Sequence, residues 1–185
     1  MLFVGLTGNY GMGKSTILTM FKKLGAIIID TDRIVDSLLK ETEVLKNIRG
    51  LLGDTVFGKN GSLNKKKVAD LIFTNKALRH SLENILHPLV FERIDLILDK
   101  TNSKDRIIII EAPLLYESGY KDRFNRTVTV HTKEETALSR LENDGIKKED
   151  AILRLKSQLP IEEKVKQSDF VIDNNGTFEE TMLQV

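Results

Sequence analysis

Gly8-Asn9-Tyr10-Gly11-Met12-Gly13-Lys14-Ser15-Thr16 fits the pattern Gly-x4-Gly-Lys-Ser/Thr, and each residue type in that spacing has its own chemical task. Glycines at 8, 11 and 13 let the backbone turn through positive φ angles and bring its N–H groups up to phosphate oxygens. Lys14 reaches the β- and γ-phosphates of a nucleoside triphosphate, and the Ser15 hydroxyl is a ligand for Mg²⁺. Ordinary residue frequencies produce this pattern by accident in under about 1% of chains of this length. The chemistry predicted is binding of a nucleoside triphosphate with Mg²⁺ by Gly8, Gly11, Met12, Gly13, Lys14, Ser15 and Thr16.

Positioning such a loop takes a strand before it and a helix after it. Leu2-Phe3-Val4-Gly5-Leu6 reads as the buried strand, and Ile17, Leu18, Met20, Phe21 and Leu24 recur at helical spacing. The helix beginning near Lys14 adds the positive end of its dipole to the phosphate site.

Ala26 to Asp30 reads as a second short strand, entered through Gly25 as the C-cap of the first helix. It ends on two carboxylates, Asp30 and Asp32. Ligands of open α/β sheets sit outside the carboxyl ends of the strands, so both acids are expected at the crevice of the phosphate loop. Asp32 is the candidate functional carboxylate, with helix capping as its structural alternative, a task Thr31 could also perform. Asp30 is a candidate for assisting Mg²⁺ through water.

Residues 43–100 are mostly helical in pattern. Leu45, Ile48, Leu51 and Leu52 form one stripe, and Val68, Leu71, Ile72 and Phe73 form another after the turn Asn60-Gly61-Ser62. A third pattern runs from Leu78 to Ile97, with Pro88 expected to bend or interrupt it. Lys65-Lys66-Lys67 reads as a solvated face before an anion site. His87, restricted by the following proline, is either a packed histidine or a ligand contact.

Arg106 to Leu115 opens with a β-branched run too uniform for a half-exposed strand, which implies a central strand covered on both faces. Glu111 at its end resembles the acid that holds Mg²⁺, often through water, in phosphate-loop enzymes. Thr127 to His131 is a fourth strand, Glu134 to Asn143 a helix, and Phe170 to Asp173 a fifth strand closed by Asn174-Asn175-Gly176 before a short final helix. Strands separated by helices predict an α/β fold, a five-stranded parallel sheet with flanking helices. The charged stretch before the last strand is the candidate lid. Arg140 and Arg154 are its candidate phosphoryl ligands, with surface ion pairs to Glu142 or Asp150 as the alternative.

The 185 residues suffice for one well-buried core. A formal net charge of +1 argues against a nucleic-acid partner, and the absence of cysteine excludes disulfides and thiolate metal sites. The N-terminus lacks the pattern of a signal peptide, and the Ile107–Ile110 run is far too short to span a bilayer. A cytoplasmic protein with no membrane partner is expected, its oligomeric state left open with a monomer as default. A guanine-specific switch is a poor fit, because Asn75-Lys76-Ala77-Leu78 lacks the required aspartate and Asp173-Asn174-Asn175-Gly176 comes too late.

Several further pieces resemble the dephospho-coenzyme A kinase family along nearly the whole chain. They are Gly5-Leu6-Thr7-Gly8 with the loop through Thr16, Phe21 to Gly25, Asp30-Thr31-Asp32, Gly61-Ser62-Leu63, His87-Pro88 and Pro113-Leu114-Leu115-Tyr116-Glu117. Arg140, Arg154 with Gln158, and Val171 to Gly176 complete the resemblance. It implies ATP-dependent phosphorylation of the ribose 3′-hydroxyl of dephospho-coenzyme A. It also implies a kinase core over about 1–40, 104–138 and 168–185, a coenzyme-binding helical insertion over about 41–103 and a lid over about 139–167. Lys14, Asp32, Arg140 and Arg154 are the implied catalytic residues, Asp32, His87 and Leu114 the substrate contacts, and Asn174 and Gly176 residues near the nucleotide. Asn143 stands where the family often has a second arginine, so no role is carried to that position. Another small-molecule or nucleotide kinase, or a non-catalytic ATP-binding module, would share the loop.

Overall fold

Strands β1 (Leu2–Thr7), β2 (Ile27–Asp30), β3 (Ile107–Glu111), β4 (Arg126–His131) and β5 (Phe170–Asp173) form one parallel sheet in the order β2-β3-β1-β4-β5. The computed structural model describes residues 1–100 and 106–185; residues 101–105 and the side chains of Phe73 and Thr74 lie outside the description. Phe73 of the second predicted stripe and the predicted 103/104 boundary therefore fall outside the described residues.

Two compact units make up the chain, Met1–Ile29 with Ser103–Val185, and Asp30–Asn102. In the first, β1 pairs with β3 and β4 on either side, Val4 lying opposite Ile109 and Leu6 opposite Val128. Ile108, Ile109 and Ile110 are buried, as the uniform β-branched run requires. Val4, Leu6, Ile109, Val128, Val130 and Ile172 share one core with Ile17, Leu18 and Met20 of α1 (Lys14–Lys23). The close of α1 follows from Gly25, whose φ of 95° lets its N–H reach Lys22 O while Ala26 N–H reaches Phe21 O, each at 3.1 Å.

The stretch expected as a lid, 139–167, is anchored by apolar contacts near both of its ends. Ala137 of α6 (Glu134–Asn143) and Ile161 of α8 (Ile161–Gln167) belong to the sheet core, and Leu141 is buried as well. Apolar contact fixes both ends of the stretch, leaving α7 (Lys148–Lys156) and its flanking turns between them. β5 is followed by α9 (Phe178–Gln184), started by a reciprocal capping pair of Thr177 and Glu180.

The second unit contains α2 (Thr31–Leu38), α3 (Thr42–Leu52), α4 (Lys65–Thr74) and α5 (Lys76–Lys100). Its core is Val44, Ile48, Leu52, Val56, Val68 and Leu82, with Leu39 and Leu86 packed against it. The second unit runs from Asp30, whereas the sequence places the start of the helical insertion near residue 41, and α2 packs on α5 of the same unit. Of the two outcomes expected at Pro88, a bend or an interruption, the structure rules out the interruption, since α5 is continuous from Lys76 to Lys100. Its missing N–H removes one bond to Asn84 O, but Leu82 before it and Val90, Ile94 and Leu98 after it are all buried, which holds the helix together. Lys65 pairs with Asp36 at 2.5 Å and Lys67 reaches Thr55 O at 3.0 Å, so these lysines serve their own unit's surface. Among the described residues, no helix is long and apolar enough to cross a membrane.

Candidate active site

Two glycines explain the shape of the loop after β1. At Gly8, φ is 147° and an added Cβ would lie 2.7 Å from Val130 O. At Gly13, φ is 87° and a Cβ would run into the Asn174 side-chain amide. A side chain at either position meets both a strained backbone and a fixed neighbour. Gly13 is also the N-cap of α1, so the amides of the first helical turn are directed at the loop without a capping side chain.

Lys14 curls back onto the loop, donating to Asn9 O at 3.3 Å. Ser15 and Thr16 are exposed at the start of α1. Met12 contributes differently: its side chain is buried in the core, its N–H donates to Asn9 O at 3.3 Å, and its carbonyl accepts from Asn174 Nδ2 at 3.0 Å and from the Thr132 hydroxyl at 3.3 Å. Its task is to hold the loop's shape.

Asn174 is the brace. Its amide nitrogen holds Met12, its Oδ1 accepts from the Thr181 hydroxyl at 3.1 Å, and its backbone carbonyl accepts from Arg140 Nη2 at 3.0 Å. Gly176 has its own structural reason, since a Cβ there would meet the Glu180 carboxylate of the capping pair.

Arg140 is half-buried and its guanidinium lies beside Gly13. Arg154 is exposed near the end of α7, with its guanidinium carbon 4.9 Å from the centroid of the Tyr10 ring. Neither forms an ion pair among the described residues, so the alternative of pairing with Glu142 or Asp150 falls. Both guanidinium groups are delivered to the loop instead.

The acids divide. Asp30, not Asp32 or Thr31, caps α2: its Oδ1 accepts from Arg33 N–H at 3.1 Å and its Oδ2 pairs with Arg33 Nε at 3.2 Å. Asp32 is the second residue of that helix and is exposed. Glu111 closes β3, opposite Leu6 of β1, and is half-buried. Leu114 follows in the next turn, its carbonyl accepting from Ser118 N–H at 2.9 Å. His87 is half-buried in α5, where burial holds its imidazole below the ordinary histidine range, with Glu83 opposing and His80 assisting the shift. Asp30, Asp32 and His87 belong to the second unit, whereas the loop, Glu111, Leu114, Arg140, Arg154 and Asn174 belong to the first.

The comparison with known proteins is decided by one match: a family model for dephospho-CoA kinase covers residues 2–180. The chain belongs to the dephospho-CoA kinase family. It is an enzyme of that family, and the family reaction is ATP-dependent phosphorylation of dephospho-CoA to coenzyme A. A dephospho-CoA kinase of Aquifex aeolicus is 38% identical over 183 residues, covering 98% of this chain and 93% of the relative. One from Listeria monocytogenes is 36% identical over 188 residues, covering 98% and 92%. Among solved structures, TT1252 from Thermus thermophilus matches with a TM-score of 0.87 at 28% identity, over 99% of this chain and 93% of that one. A shikimate kinase from Bacteroides thetaiotaomicron, at 16% identity, TM-score 0.51 and coverage of 99% and 93%, shares the fold alone.

Sequence reasoning missed the support beneath the loop of this dephospho-CoA kinase family member. Lys164, counted in the polar helical stretch, is fully buried, with Nζ 2.8 Å from Glu117 Oε1 and 2.8 Å from Pro113 O. Burial lowers its pKa, and the hydrogen bond and charge of Glu117 work against that shift. Glu117 Oε1 also accepts from Leu159 N–H at 2.9 Å, and Leu159 O accepts from Asn9 Nδ2 at 3.1 Å. The local sequence Glu162-Glu163-Lys164-Val165-Lys166 gives no hint of burial; only the pairing of distant segments does.

Proposed function

We propose that the γ-phosphoryl group of ATP passes in line to the ribose 3′-hydroxyl of dephospho-CoA, with Lys14, Arg140 and Arg154 neutralising its charge and Asp32 orienting the hydroxyl and accepting its proton. The observation that carries this reading is the loop with two arginines brought to it and withheld from ion pairs. A planar guanidinium binds phosphoryl oxygens in bidentate fashion, and such charge is worth most in a water-excluded site. In a loose transition state the proton leaves late, so placing the hydroxyl counts for more than the basicity of Asp32. Asn174 acts on the nucleotide side by fixing the loop, Gly176 lies in the turn that follows it, and His87 and Leu114 act on the acceptor side.

Magnesium fits the donors present. Ser15 and Glu111 offer hard oxygen ligands, the kind taken by an ion that keeps several waters and is held in part by substrate phosphates. Asp30 is the weaker assistant, since both of its oxygens are engaged by Arg33. Bound there, the ion would supply neutralisation of phosphate charge. A cytoplasmic location completes the reading, with the oligomeric state left open and a monomer as default.

Asp32→Asn tests it. ATP binding, followed by calorimetry, is expected to persist while dephospho-CoA-dependent ADP release falls by roughly 10²–10⁴. Turnover near that of the unaltered enzyme would remove Asp32 from the mechanism, and ADP release with other hydroxylated acceptors but not with dephospho-CoA would redirect the substrate assignment.

A further inference from the structure

Three contacts run from the end of α7 to two consecutive residues of the phosphate loop. The Arg154 guanidinium lies over the Tyr10 ring, the Tyr10 N–H donates to Gln158 Oε1 at 2.9 Å, and the Asn9 side-chain amide donates to Leu159 O at 3.1 Å. Arg154 and Gln158 are separated by the turn that ends the helix, where the Ser157 hydroxyl donates to Arg154 O at 2.7 Å and Gln158 N–H to Leu155 O at 3.1 Å. The turn itself is fixed from below by a bond between Leu159 and Glu117.

 That bond, from the Leu159 N–H to Glu117 Oε1, measures 2.9 Å, and Glu117 is in turn held by the buried Lys164.

An arginine side chain has many rotamers, and an exposed one samples many positions unless something gathers it. The Tyr10 face does so: the ring attracts the cation without consuming any of its five N–H donors, which a carboxylate partner would engage. The Tyr10 N–H, being held by Gln158, is spent on the lid and not on phosphate. We propose that Tyr10 is the positioning residue of Arg154: its ring holds the guanidinium at the phosphate loop with the donors free to turn to the transferring group. This rests on the reading of Arg154 as a phosphoryl ligand. Tyr10 touches no reacting atom and acts through Arg154 alone.

The test is a cycle of Tyr10→Phe, Tyr10→Leu, Arg154→Ala and the double variant Tyr10→Leu/Arg154→Ala, assayed for kcat and for the KM of ATP. Leucine keeps the backbone N–H for Gln158 and much of the bulk but has no ring face. Tyr10→Leu is expected to lower kcat by roughly 3- to 30-fold, the span of a cation–π contact, with the KM of ATP within about twofold. Tyr10→Phe, which keeps the face, is expected to restore kcat to within about twofold of the parent. In the double variant the loss is expected to equal that of Arg154→Ala, because removing the ring matters only while the arginine is present. Additive losses, a Tyr10→Phe as slow as Tyr10→Leu, or a Tyr10→Leu with unchanged kcat would each overturn the inference. Full turnover in Arg154→Ala would instead overturn the role of Arg154 on which it rests.

Discussion

Lys164 shows how much one residue's setting decides. Its ammonium is fully buried, yet it is matched by the Glu117 carboxylate and the Pro113 carbonyl, so the charge is neutralised and its hydrogen-bonding capacity largely used. Removing one partner of such a pair leaves the other charge buried and unmatched, a loss of about 3–5 kcal/mol, whereas removing both leaves no unmatched charge. Lys164→Met and Glu117→Gln are each expected to lower the free energy of denaturant unfolding by an amount of that order. The double variant is expected to lose clearly less than the sum of the two. Strictly additive losses would show that the pair is not coupled and that Lys164 is held by its other contacts. The residues that sequence made legible are of a different kind: Gly8, Gly13 and Lys14 act through local chain geometry, which their spacing records. Lys164 acts through a partner 47 positions away, by 164 − 117, and local spacing records nothing of that.

At the scale of elements, α1, α6 and the five strands were legible because hydrophobic period and turn residues determine them locally. The anchoring of α6 and α8 in the sheet core, the packing of α2 on α5 and the continuity of α5 through Pro88 were not, since packing between distant segments decides each. The joining of β5 to β4 is another such contact. Asp169, just before β5, accepts from the Thr127 N–H at 2.7 Å and from the Thr127 hydroxyl at 2.9 Å. The backbone bond, then the hydroxyl, hold its carboxyl below the ordinary carboxylate range, with lesser help from Arg126 and Lys121. A carboxylate depressed in the folded state contributes stability that is fully present above its unfolded pKa, about 3.9, and is lost as pH falls through the folded value. The group is exposed, so solvent keeps the contribution small. Asp169→Asn is therefore expected to show a flatter decline of Tm than the parent on acidification below about pH 4, measured by thermal unfolding in a pH series. Parallel curves would assign the acid sensitivity to other carboxylates.

The division into two units gives the whole molecule a testable property. Every residue assigned to the nucleotide lies in Met1–Ile29 or Ser103–Val185, whereas Asp32 and His87 lie in Asp30–Asn102. A ligand stabilises the segments whose opening releases it, by RT ln(1 + [L]/Kd), about 2.7 kcal/mol at a hundredfold excess over Kd. Amides in those segments then exchange up to about a hundredfold more slowly, while amides that open without releasing the ligand are unaffected. A non-hydrolysable ATP analogue is accordingly expected to slow hydrogen exchange in residues 8–16 and around Arg140, Arg154 and Asn174. Dephospho-CoA alone is expected to slow it in α2, around His87 in α5 and at the turn holding Leu114. Protection by dephospho-CoA confined to the loop unit would place the acceptor apart from Asp32 and remove the basis for its catalytic role. Protection of α2 by the acceptor, together with slow turnover in Asp32→Asn, would make the first turn of that helix the place where the hydroxyl is presented. The cap supplied by Asp30 would then be what fixes Asp32 in that turn, a purpose for the paired acids that neither residue type reveals alone.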